Sequence, residues 1–186
     1  KRNYTAATVP GWDIVQRMAL EAPPDLSSGQ QQDFEQGWRD VQQGNLEAAA
    51  SELESLGRRY GRSPEVVTAR GYLELRLGSV LAAERYFQKL VEMAPNVSNY
   101  TSLAAFLAQD RARDDETEQA FLDAVRLAEA KDQVRAHQNV ASFYFQRERF
   151  DEATVYLDGV IPNVEEPVPL IYLLARLHAA QGNTEK

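Results

Sequence analysis

The 186-residue chain contains no cysteine, which excludes disulfides, thiolate metal sites and a cysteine nucleophile. Histidine is nearly as scarce. There are two, His137 and His178, and neither has another histidine or a carboxylate three or four residues away. The helical spacing of a metal motif is therefore missing. Positive charge is also short, with 20 Lys and Arg against 28 Asp and Glu for a net charge of −8. A basic stripe able to neutralise phosphates is lacking, so neither nucleic acid nor an anionic lipid surface is an expected partner. No apolar run approaches the roughly 18 residues needed to cross a bilayer. The longest, 169–175, falls inside a helical pattern, and direct membrane insertion is not expected.

Catalytic motifs are missing too. The glycines of Gly57-Arg-Arg-Tyr-Gly61 lack the Lys-Ser/Thr of a phosphate loop and any preceding strand. The acids Asp114-Asp115-Glu116 and Asp151-Glu152 stand where second helices begin, and there they favour the helix dipole. No cofactor is implied, and the chain reads as non-enzymatic. Three Asn-x-Ser/Thr triplets, at Asn3, Asn96 and Asn99, are read as chance occurrences.

What is present is a repeat. Trp38, Tyr72 and Phe106 stand 34 residues apart, and Gly44, Gly78 and Ala112 follow at one offset. Leu53, Phe87 and Phe121 form another column with the same period. Self-similarity of this length marks stacked two-helix units. The helices are expected over about 30–43 with 46–60, from Ser63 to Pro95, from Ser98 through a turn at 113–117, and from about Val134 to Asn163. Asn45 and Ser63 are candidate N-caps, and Pro64 suits a first turn. Columns of the fourth unit are displaced by 36 rather than 34, which places two extra residues near 130–133. A fifth first-helix, Pro169–His178, ends at Gly182-Asn183.

The pattern over about 30–186 resembles the tetratricopeptide repeat (TPR) family. Its small residue near the start of the second helix matches Ala49, Ala83 and Ala153, with Thr117 in the third unit. Its large apolar residue four positions later matches Leu53, Phe87, Phe121 and Leu157. The resemblance implies an all-α, right-handed helical solenoid of stacked antiparallel helix pairs, a TPR-like superhelix. The domain organisation expected is an N-terminal extension, 1–28, with one helix over Trp12–Leu20, followed by an array over 29–186 of four repeats and a C-terminal half repeat.

In that family the first helix of each unit lines the concave surface. By that geometry the candidate groove residues are Trp38, Val41, Tyr72, Leu75, Phe106 and Gln109, with Arg135, Gln138, Asn139, Ser142 and Phe145 in the fourth unit. Rigid aromatics make good anchors. Two other readings stay open: the ladder is internal core, or the 12–20 helix fills the groove. His137 falls in a column that is usually buried. The columns carrying the chaperone-carboxylate clamp of one subgroup hold Phe34, Trp38, Ala69, Asn99 and Leu103 here, so that specificity is not expected.

The function expected is a protein–protein interaction scaffold that binds a peptide or helical segment. The alternative is a structural or self-association module of a larger protein. Both ends, Lys1 and Lys186, are read as boundaries within a longer chain. The face Leu170, Leu173, Leu174 and Leu177 is expected to be partly open, offering self-association through the last helix.

Overall fold

The structure, a computed structural model, describes residues 19–182. The helix expected over 12–20 lies largely outside these residues. The two it shares with them, Ala19 and Leu20, are not helical. Among the described residues there are nine α-helices and no strand. The chain divides into two compact units, one ending at Pro95 and the other beginning at Asn96.

The first unit holds α1 (Ser28–Gln43), α2 (Leu46–Tyr60), α3 (Pro64–Arg76) and α4 (Val80–Met93). Each start has a local cause. Ser27 and Gln30 form a capping box, with the Ser27 N–H donating to Gln30 Oε1 at 3.0 Å. Ser63 Oγ accepts from the Val66 N–H at 3.4 Å, and Pro64 occupies the first turn of α3. Asn45 does not cap α2 with its side chain as expected. Its Nδ2 instead donates to Asp40 Oδ1 at 2.8 Å. That bond, with a second from Gln36, holds the buried Asp40 carboxyl below its ordinary value. The α1–α2 turn needs Gly44, whose φ of +91° is left-handed.

Packing follows the small-and-large columns. A Cβ on Gly37 would stand 3.1 Å from the Leu53 side chain, and one on Gly71 would stand 3.3 Å from the Phe87 ring. Glycine thus lets each second helix close onto its first. Leu53, Phe87, Ala49 and Ala83 are fully buried. Burying a Leu or Phe contributes about 1.5–3 kcal/mol each.

The second unit holds α5 (Val97–Leu107), a 3₁₀ turn at Arg111–Arg113, α6 (Asp114–Arg126), α7 (Ala130–Gln146), α8 (Phe150–Val160), a 3₁₀ turn at Ile161–Asn163, and α9 (Val168–Ala180). The extra residues near 130–133 are absorbed as the first turn of α7. Asn96 caps α5 by accepting from the Asn99 N–H at 2.9 Å, and Asn99 itself is buried. One side chain therefore caps the helix and the other is buried within it. Thr117 replaces alanine without an orphaned hydroxyl, because its Oγ1 donates to Arg113 O at 2.9 Å. α5 pairs with α6 and α7 with α8, while α9 packs against both α7 and α8.

Candidate functional site

The sequence places the groove on the first helices, here α1, α3, α5, α7 and α9. The structure splits the candidates into two groups. Trp38 and Val41 on α1 are 4% and 0% exposed, and Tyr72 and Leu75 on α3 are 4% and 2% exposed. The Trp38 and Tyr72 rings stand 5.8 Å apart, and Tyr72 meets Phe87 edge-on at 5.0 Å. Phe106 on α5 is also buried. This corrects the expectation of an open aromatic wall. Large rings projecting toward neighbouring helices lose more water-exposed surface by packing together than by lining a cleft, and here they form core.

The second group is accessible. Gln109 is half-buried at the end of α5. On α7, Gln138, Asn139, Ser142 and Phe145 are half-buried and Arg135 is exposed. Their spacing of three and four residues puts them on one helical stripe. Gln138, Asn139 and Ser142 make no side-chain hydrogen bond within the described residues. Phe145 has two ring contacts: Phe150 lies 5.5 Å away edge-on, and the Arg176 guanidinium sits 5.3 Å from its ring centre.

Two residues of this surface escaped the sequence reading, Arg176 and the exposed Tyr172, one turn apart on α9. The signal lay in their four-residue spacing, hidden by the leucines between them. The leucines also require a correction. Leu170, Leu173 and Leu177 are buried by α7 and α8, and Leu174 is half-buried. The open side of α9 instead carries Val168, Ile171 and Tyr172. The helix needs its leucine stripe to dock on the preceding pair, so another stripe is left outside.

Titratable groups elsewhere in the second unit are committed to structure. Arg147 reaches back to Asp114 at 2.8 and 2.9 Å and to the carbonyl of Ala108 at 2.5 Å. Arg149 donates to Glu152 and to Glu118, which hold its guanidinium above the ordinary value in that order of effect. The Tyr144 hydroxyl donates to Glu118 at 2.7 Å, and its pKa is raised, by burial first and then by that bond. His137 Nδ1 lies 2.7 Å from the Tyr156 hydroxyl. Burial lowers the His137 pKa and pushes Tyr156 up to about 12. Among the described residues no three His, Asp or Glu side chains are grouped so as to hold a metal.

No family model and no curated protein matches the sequence. Solved structures do match the fold. TTC0263, a thermophilic TPR protein of Thermus thermophilus, superposes with a TM-score of 0.59 at 20% identity, covering 83% of this chain and 84% of that one. A double mutant of MamA RS-1 gives 0.58 at 17% identity over 83% and 86%. YrrB, described as a TPR protein with an unusual peptide-binding site, gives 0.53 at 15% identity over 82% and 78%. The helix pairs, the small-and-large columns at their contacts and these superpositions agree: the chain has the tetratricopeptide repeat fold.

Proposed function

We propose that the protein is a non-enzymatic interaction scaffold that binds a peptide or helical segment of another protein along the first-helix face of its second unit. The observation that carries this reading is the α7 stripe. Gln138, Asn139 and Ser142 offer hydrogen-bonding groups that no other described residue uses, beside the half-open ring of Phe145. Polar groups on a rigid helix fix the register of an extended ligand, and an aromatic neighbour supplies contact area. The peptide-binding site described for YrrB supports the view that this fold accepts such ligands. A net charge of −8 argues for protein rather than nucleic acid as the partner.

A second reading, assembly of the parent protein or self-association, is favoured by Val168, Ile171 and Tyr172, which stand 71%, 49% and 66% exposed on α9. One pair of variants separates the two. The triple change Gln138→Ala, Asn139→Ala, Ser142→Ala abolishes partner capture without lowering Tm if the first reading holds. Ile171→Asp with Tyr172→Asp abolishes concentration-dependent sedimentation if the second holds. Capture unaffected by the α7 triple variant rejects the first.

A further inference from the structure

Most cations of the second unit are spoken for. Arg113, Arg126, Lys131, Arg147 and Arg149 each pair with a carboxylate. Arg135 and Arg176, on the first helices α7 and α9, have no carboxylate partner among the described residues. Arg111, exposed in the 3₁₀ turn, lacks a carboxylate partner as well, but of the cations on first helices in this acid-rich unit only Arg135 and Arg176 are left so. Arg176 is held as well as free. Its guanidinium lies over the Phe145 ring, and Phe145 also meets Phe150 edge-on. A guanidinium stacked on an aromatic face loses little of its in-plane donor capacity, and the planar fork matches a carboxylate with two parallel N–H···O bonds. One turn before it on the same helix, Tyr172 is 66% exposed and offers a ring to an apolar neighbour of that carboxylate.

We infer that the partner segment is acidic: it places an Asp, a Glu or a terminal carboxylate on Arg176, with an aromatic or aliphatic residue beside it on Tyr172, while Arg135 adds a second positive point along the α7 stripe. This rests on the peptide-binding reading above and narrows it to a class of ligand. Hydrogen bonds to a charged group are lost with a penalty that corresponds to about ten- to hundredfold in affinity. Salt weakens the attraction, because both arginines are exposed.

The test uses the chain as it stands, panned against a random displayed-peptide library. The expected result is enrichment of peptides with Asp or Glu next to an aromatic or aliphatic residue. A selected peptide should bind Arg176→Glu about ten- to hundredfold more weakly. Its counterpart with Lys in place of the acid should regain affinity for that variant. Arg176→Lys keeps the charge but loses the fork, and should recover only part of the binding. Arg176 is exposed, so an unchanged melting curve shows that the variants are folded. Selected peptides without acidic residues, or binding indifferent to Arg176→Glu, overturn this inference and leave the peptide-binding reading standing. Failure to recover any peptide overturns both.

Discussion

The ring of Trp38 lies 5.8 Å from that of Tyr72, one repeat further along the chain. Tyr72 in turn meets Phe87 of α4 at 5.0 Å. A column conspicuous in the sequence as a ladder of exposed anchors is therefore a buried stack joining successive helix pairs of the first unit. The candidate groove residues that stay accessible are the less conspicuous polar ones of the second unit.

Tyr72→Ala should accordingly destabilise the protein by about 3–5 kcal/mol, the range for large-to-small aromatic truncations in a core. Chemical denaturation measures it. Ser142→Ala is the control, and should change stability by no more than about 0.5 kcal/mol because its hydroxyl has no partner among the described residues. A Tyr72→Ala protein as stable as the parent would return the ladder to the ligand surface.

Arg147 ties the start of α6 to the end of α7 through Asp114, with its side chain only 10% exposed. Its removal leaves the Asp114 carboxylate and the Ala108 carbonyl without their donor. Arg147→Ala should cost about 2–3 kcal/mol, since bonds to charged groups contribute more than neutral ones. Arg147→Met should cost less than Ala, because the aliphatic stem retains part of the packing over the Phe143 ring. Equal losses for the two would mean that the charge alone matters.

Stability should depend on pH through His137 and Tyr156. Burial lowers the His137 pKa, so its contribution is complete above the unfolded value of about 6.5 and declines as pH falls through the lowered folded value. Tyr156 works in the opposite direction. Its folded pKa of about 12 exceeds the ordinary 10, so the unfolded chain ionises first and stability is lost as pH rises between these values. His137→Gln should flatten the acid side of the profile, and Tyr156→Phe the alkaline side. Profiles unchanged by both substitutions would refute this account of the pair.

The sequence made the repeat legible because stacking imposes a fixed period. Gly37 and Gly71 had to stay small opposite Leu53 and Phe87, and the turn at Gly44 required a left-handed residue. Those constraints are local and recur, so they print a pattern. The facing of Trp38, Tyr72 and Phe106 was not legible. A helix has several sides, and period alone does not say which side a neighbour covers. Arg176 was missed for a related reason. Its placement depends on Phe145, which meets Phe150, and these lie on two other helices and share no spacing with it.

If a partner is held on the α7 stripe while the aromatic ladder holds the fold, site-specific photocrosslinking can tell the two faces apart. A benzophenone amino acid replaces Ser142, half-buried on the stripe, or Val155, which is 73% exposed on α8. The account predicts adducts with a partner polypeptide from position 142 and none from 155. Adducts from 155 alone, or adducts from 142 only to other copies of this chain, would contradict it.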